Sequence, residues 1–354
     1  MYLLKKTNFI IICLLFISIP ACKKKVVVSS QMKEVFYIRN GSSDMPAWVR
    51  GNGESKVLVV VLHGGPGGDA LSYRRAEAYQ KLEEKYALVY WDQRHQGNSH
   101  GHLKDEEVTL DEMTGDLDLL VKTLKKRYGE GNSIFLLAHS WGGGLGTAFL
   151  IKDNYQDNIN GWINMDGGYD IQRQNVGMMN MINTIGQEEI DAGSNVNFWK
   201  ESIAFTKTID TNNISFEKFK EINEYTHKIE DNLTEAQVNP IKMLDSYGIT
   251  DPFFSSNNFL NSMLMGFQLP NSFLAGEFGK LNLTPHLAKI KTPSLIIYGK
   301  YDFVVPPILG QIMYDKISSS VKELKIYESS AHSPMAHEMD KFLDDVMIFI
   351  NQNK

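Results

Sequence analysis

The chain has 354 residues, 43% of them apolar and 22% charged, a composition that excludes collagen, coiled coil and wholesale disorder. Two cysteines exclude a disulfide-built scaffold, and no Cys/His group has zinc-site spacing. A formal charge of −6 argues against nucleic acid as a partner, because phosphate backbones call for a positive protein face.

In chain order, Lys5 and Lys6 precede an apolar run from Phe9 to Ile19 that only Ser18 interrupts. The run is shorter than the ~20 residues that span a bilayer core, so it reads as a secretory signal. It ends Ile19-Pro20-Ala21-Cys22 and resembles the lipobox of bacterial lipoproteins, with Pro20 an unusual residue at its place. That resemblance implies a signal over residues 1–21, lost together with Cys13, and a lipid on Cys22. Residues 22–33 then form a tether whose lysines favour an anionic membrane surface. The expected location is a bacterial cell envelope, reached by export.

From residue 34 to 168 short strands alternate with helices. Val57–Leu62, Ala87–Trp91 and Ile134–Ala138 are continuous apolar runs, as expected of strands buried on both faces. A helix between the last two opens with a capping box, Thr109 to Glu112, and carries Met113, Leu117, Leu120, Val121 and Leu124 on one face. Gly161–Met165 is a fourth strand, ending at Asp166-Gly167-Gly168. The alternation predicts an α/β fold with a mostly parallel sheet.

Residues 169–287 change texture. They are rich in Asn, Met, Phe and Glu and helical in spacing, with Phe216, Phe219 and Ile222 on a helix capped near Ser215. Strands resume at Ser294–Tyr298 and Glu323–Tyr327, before a last helix bearing Phe342, Leu343, Val346, Phe349 and Ile350. The pattern predicts one core, 34–168 and 288–354, interrupted by a helical insertion.

The segment Leu137-Ala138-His139-Ser140-Trp141-Gly142-Gly143 follows a strand and opens a helix. It matches the nucleophile elbow G-x-S-x-G, with Ala138 for the first glycine. A tight turn there lifts Ser140 above the sheet, and the helix start favours developing negative charge. His63-Gly64-Gly65-Pro66-Gly67-Gly68 directly follows the first long strand, where glycines let backbone N–H groups face a site unobstructed. Such a loop plus the Trp141 N–H would make an oxyanion hole. Phosphate binding is the competitor, but GxGxxG spacing and a P-loop lysine are absent. A serine needs a base and an orienting acid. Asp302, in Tyr298-Gly299-Lys300-Tyr301-Asp302, and His332, in Ser330-Ala331-His332-Ser333-Pro334, stand past strand ends in the right chain order. His337 is the rival base, and Asp315 and Glu328 are the rival acids. This chemistry calls for no cofactor and no metal; His100-x-His102 lacks further ligands.

HGGPGG, Trp91-Asp92-Gln93-Arg94-His95-Gln96-Gly97-Asn98-Ser99, the elbow and the Asp302 and His332 turns together resemble the proline iminopeptidase group of α/β-hydrolases. The resemblance implies a cap inserted before the acid-bearing strand and Gly65 as the second oxyanion donor. His63, Gly64, Pro66, Asp92 and Arg94 would brace the site. Aminopeptidases of this group hold the substrate's free amine with acidic cap residues. Glu188, Glu189, Glu201, Glu217, Glu221, Glu224 and Glu230 are available, and none stands out. His95, where the group has glycine, and Ala138 depart from the pattern. The reaction implied is release of N-terminal proline or another small residue from short peptides by a membrane-tethered serine hydrolase. Hydrolysis of a small ester or amide is the alternative. A non-catalytic ligand-binding lipoprotein is the alternative of another class.

Overall fold

The computed structural model describes residues 31–101, 104–211, 214–241 and 269–354; Cys13, Cys22 and His102 lie outside them. The strands are β1 (Met32–Asn40), β2 (Ser43–Gly51), β3 (Val57–Leu62), β4 (Ala87–Trp91), β5 (His100–Gly101), β6 (Ser133–His139), β7 (Gly161–Met165), β8 (Ser294–Gly299) and β9 (Lys322–Tyr327). They form one sheet in the order β1-β2-β4-β3-β6-β7-β8-β9, with β5 beside β2. Strands β3, β4 and β6 to β9 run parallel, and β1 and β2 add an antiparallel edge.

Alternation of side chains explains why β3 is apolar throughout. Leu58, Val60 and Leu62 point into one core, and Val57, Val59 and Val61 into the other. The first core is closed by α2 (Leu110–Tyr128), α3 (Trp141–Ile151) and α7 (Ile308–Lys316). The second is closed by α1 (Glu77–Glu83) and α8 (Met339–Asn353). Register then aligns the strand ends: Leu62 pairs with Trp91 and Ala138, and His139 with Met165. Loops carrying chemistry therefore leave the sheet side by side, at the carboxyl edge where such sheets place ligands.

Between β7 and β8 lie α4 (Ile171–Asp191), α5 (Val196–Thr206) and α6 (Phe216–Glu230). Ser215 caps α6 by accepting the Lys218 N–H at 3.2 Å. Ile182, Trp199 and Ile229 pack on Phe303, next to Asp302, so the helices rest directly over the acid loop. The edges differ by a few residues from the sequence pattern. Met32 and Lys33, at the end of the stretch read as a tether, belong to β1. Leu281, Leu283 and Leu287 already join the main core, because they pack with the buried residues of α3 and α7.

Candidate active site

Strand β6 delivers Ser140 at φ 56° and ψ −123°, a left-handed, strained conformation between the last strand residue and the first turn of α3. Crossing chains force small neighbours on the turn. A Cβ on Gly142 would lie 2.1 Å from the Leu62 carbonyl oxygen, and one on Gly143 would lie 2.4 Å from the Gly167 Cα. Ala138 carries its methyl inside the sheet, fully buried.

Loops after β8 and β9 bring the remaining partners. His332 Nε2 is 3.0 Å from Ser140 Oγ, and His332 Nδ1 is 2.8 Å from Asp302 Oδ2. Asp302 is fully buried, and its Oδ1 accepts the N–H groups of Val304 and Val305 at 2.9 and 2.7 Å. The two loops are tied to each other by Tyr301 N–H donating to the Ser330 carbonyl at 2.9 Å. The rivals fall elsewhere. His337 is buried with Nδ1 2.6 Å from the Asn239 carbonyl, Asp315 accepts from Gln311, and Glu328 pairs with Lys300 on the surface.

Burial sets the electrostatics. It pushes His332 down to about 3, which keeps the imidazole neutral and able to accept a proton from a hydroxyl. Burial also pushes the Asp302 carboxyl up, against the two loop amides and the carboxyl of Asp166, which hold it down. Asp166 is fully buried at the end of β7 and accepts the Gly299 N–H at 2.9 Å. Burial and the neighbouring Asp302 charge push its carboxyl well above the usual carboxylate range, toward the protonated form. Glu230, at the end of α6, accepts the Phe303 N–H at 2.9 Å and is likewise pushed up by burial and by Asp302. The cluster therefore does not carry three negative charges.

The glycine loop stands opposite. Gly64 N–H donates to Tyr73 Oη at 2.8 Å and is committed there, whereas Gly65, at φ 130°, has no hydrogen-bond partner for its N–H among the described residues. A Cβ on Gly65 would lie 2.6 Å from the Gly67 nitrogen, so the loop requires glycine. The peptide before Pro66 is cis. His63 is buried, donates from Nδ1 to the Gly64 carbonyl at 2.8 Å and accepts the Gln93 N–H at 3.3 Å.

Asp92 and Arg94 brace rather than line the site. Asp92 accepts the N–H groups of Ala70 and Asn98, both at 2.7 Å, and burial pushes its carboxyl up to about 7. Arg94 makes a two-pronged ion pair with the buried Asp116 and donates to the Glu107 carbonyl at 2.6 Å. Gln93 and Gln96, inside the same motif, were not singled out by sequence. Gln93 accepts the Trp141 indole N–H at 2.8 Å, and Gln96 accepts the Gly67 N–H at 2.7 Å. Tyr73, His139 and Asp166 were missed as site neighbours, since their partners are distant in sequence, and Glu230 was not told apart from the other cap glutamates. His95 sits at φ 58°, the backbone reason for a glycine at this position in the related motif. His100 is exposed beside Tyr37.

One ligand atom each from His139, Asp166 and His332 lie within 4.8 Å of one another. Both nitrogens of each imidazole are already hydrogen-bonded, so a metal there would have to dismantle the serine–histidine–aspartate chain.

A family model for the alpha/beta hydrolase fold matches residues 57–337, most of the chain. The chain belongs to the α/β-hydrolase family. Among curated relatives, this hydrolase is 24% identical over 335 residues to the "Probable aminopeptidase YbaC" of Bacillus subtilis, covering 90% of this chain and 95% of that one. It is 27% identical over 297 residues to a proline iminopeptidase of Saccharolobus solfataricus, covering 83% and 84%. A solved structure of proline iminopeptidase from Mycobacterium smegmatis superposes with a TM-score of 0.61 at 15% identity, covering 90% of this chain and 98% of that one, a likeness of fold.

Proposed function

We propose that this hydrolase is a serine aminopeptidase that releases N-terminal proline or another small residue from short peptides. The observation that carries the reading is the unbroken chain Ser140 Oγ, His332 Nε2, His332 Nδ1, Asp302 Oδ2, with contacts of 3.0 and 2.8 Å. Ser140 attacks the scissile carbonyl while His332 takes its proton, and Asp302 holds the Nδ1–H tautomer and steadies the imidazolium. The N–H groups of Gly65 and Trp141 hold the oxyanion. His332 then protonates the leaving amine, and water activated by the same imidazole releases the acyl group.

Names of the curated relatives support a free-amine substrate, and so does Glu230. Of the seven cap glutamates, Glu217 and Glu221 pair with surface lysines, Glu189 bonds Gln237, and Glu188, Glu201 and Glu224 are exposed. Glu230 instead reaches the acid loop, where an arriving ammonium would favour its ionised form. A panel of aminoacyl chromogenic amides, their N-acetylated counterparts and short-chain esters tests this. Turnover is expected to require the free amine and to be lost in Ser140→Ala; undiminished turnover in that variant sinks the mechanism, and a preference for esters sinks the substrate.

The same reading places the enzyme on a membrane surface, held by lipid on Cys22. Among the described residues no helix is long and apolar enough to cross a membrane, and residues 23–31 between Cys22 and β1 could reach roughly 30 Å when extended. Expressed with its leader, the protein is expected in the membrane fraction and Cys22→Ser in the soluble one. Equal partition of the two would refute the anchor.

A further inference from the structure

We infer that Tyr73 and His139 are positioning residues: a hydrogen-bonded crosspiece through them ties the glycine loop to the loop of His332 and holds both around Ser140. The inference rests on the reading of Ser140 and His332 as nucleophile and base.

Four groups form the chain. Gly64 N–H meets Tyr73 Oη at 2.8 Å, Tyr73 Oη meets His139 Nδ1 at 2.7 Å, and His139 Nε2 meets the His332 carbonyl oxygen at 2.8 Å. Only one arrangement of protons satisfies all three contacts. The carbonyl can only accept, so His139 carries its proton on Nε2. Its Nδ1 then offers a lone pair, and the Tyr73 hydroxyl donates to it. The phenol oxygen in turn takes the Gly64 N–H. Every donor points the same way, from the glycine loop toward the base loop.

The surroundings preserve this order. Burial holds His139 neutral, down to about 3, and pushes the Tyr73 phenol up, so neither charges at ordinary pH. The rings pack as well as bond, with centroids 5.6 Å apart for Tyr73 and His139 and 4.8 Å apart for His139 and His332. His139 is also the residue before Ser140, so the crosspiece is anchored on the elbow itself. At its far end, a Cβ on Gly64 would stand 3.1 Å from Ser140 Cβ. A shift of the glycine loop thus moves the neighbour of the nucleophile and the Gly65 amide together. By engaging the Gly64 amide, Tyr73 also leaves the next amide in the loop to face a substrate.

Fluorophosphonate labelling reads the serine without needing the natural substrate, and gives a binding constant and a maximal labelling rate separately. Ser140→Ala must abolish labelling; if it does not, the assignment of the nucleophile fails, and not the crosspiece alone. Given that control, Tyr73→Phe strands the Gly64 N–H and His139 Nδ1 and is expected to slow the maximal rate about tenfold or more, with the binding constant within about twofold. His139→Gln can offer an acceptor and a donor at similar spacing and is expected to keep most of the rate, whereas His139→Leu falls with Tyr73→Phe. Tyr73→Phe combined with His139→Leu should be no slower than the slower single variant. A rate within twofold of the parent in Tyr73→Phe, or equal rates for His139→Gln and His139→Leu, overturns the inference. Should Tyr73→Phe not fold, the two His139 variants decide it.

Discussion

Two small residues of the elbow face different neighbours. Ala138 is fully buried within β6 and accommodates its methyl. Gly142 has the Leu62 carbonyl oxygen 2.1 Å and the His63 carbonyl oxygen 2.9 Å from where a Cβ would stand. Backbone atoms in the sheet cannot yield as a flexible side chain would. Ala138→Gly is therefore expected to cost at most about 1 kcal/mol and to leave labelling of Ser140 intact. Gly142→Ala should cost about 3 kcal/mol or more and slow labelling strongly, because relief requires the elbow to move. Thermal denaturation and labelling rates of the two variants check this; comparable losses would count against the crossing-chain account. The same contrast explains what could be read from sequence here. Ser140 and Asp302 each stand past an apolar strand, and His332 stands past the last strand of the chain, just before its closing helices. Asp166 and Tyr73 act through partners 136 and 66 residues away, Asp302 and His139, which no local pattern encodes.

The fully buried strands were legible as apolar runs, and β9, although only part-buried, lies within a residue of its reading. The apolar runs of β3, β4 and β7 stand where sequence placed them, and β6 and β8 differ by a residue at their ends. The β1–β2 hairpin was not foreseen, and its chemistry shows why. Val35 and Tyr37 of β1 face solvent, and Pro46 interrupts β2, so neither strand shows an unbroken apolar run or a clean alternation. The start of α2 was half legible. Thr109 Oγ1 accepts the Glu112 N–H at 3.1 Å, as a cap should, but the Glu112 carboxylate lies 3.2 Å from Arg94. Arg94 also grips Asp116 one turn further on, so the loop after β4 is fastened to the helix by an ion pair that helix rules cannot anticipate.

At the scale of the molecule, the return of strand texture after residue 292 made a single interrupted core legible, whereas the docking of the insertion onto Phe303 depends on side chains far apart in sequence. That assembly buries titratable groups in two opposing sets, and together they shape stability against pH. His63, His139, His332 and His337 are all pushed down by burial. Unfolded, they bind protons below about pH 6.5. Their contribution is complete above that value and is lost as pH falls toward about 3, the value of His139 and His332. Asp92, Asp166 and Glu230 are pushed up, whereas Asp302 is the member of the cluster that carries the charge. The first three keep protons that the unfolded chain releases above about pH 4, so their contribution is present below that pH and is lost as pH rises. Between about pH 4 and 6.5 the two slopes oppose and the melting temperature should change little, while below about pH 4 only the histidine slope remains and stability should fall. Asp166→Asn separates the sets. An amide can still accept from the Gly299 N–H, but it has no proton to lose as pH rises. The variant is therefore expected to gain on the parent steadily from pH 4 to pH 8, most at the alkaline end. Melting temperatures of both proteins across that range are the measurement, and a difference that stays constant with pH would show that Asp166 is not held protonated in the fold.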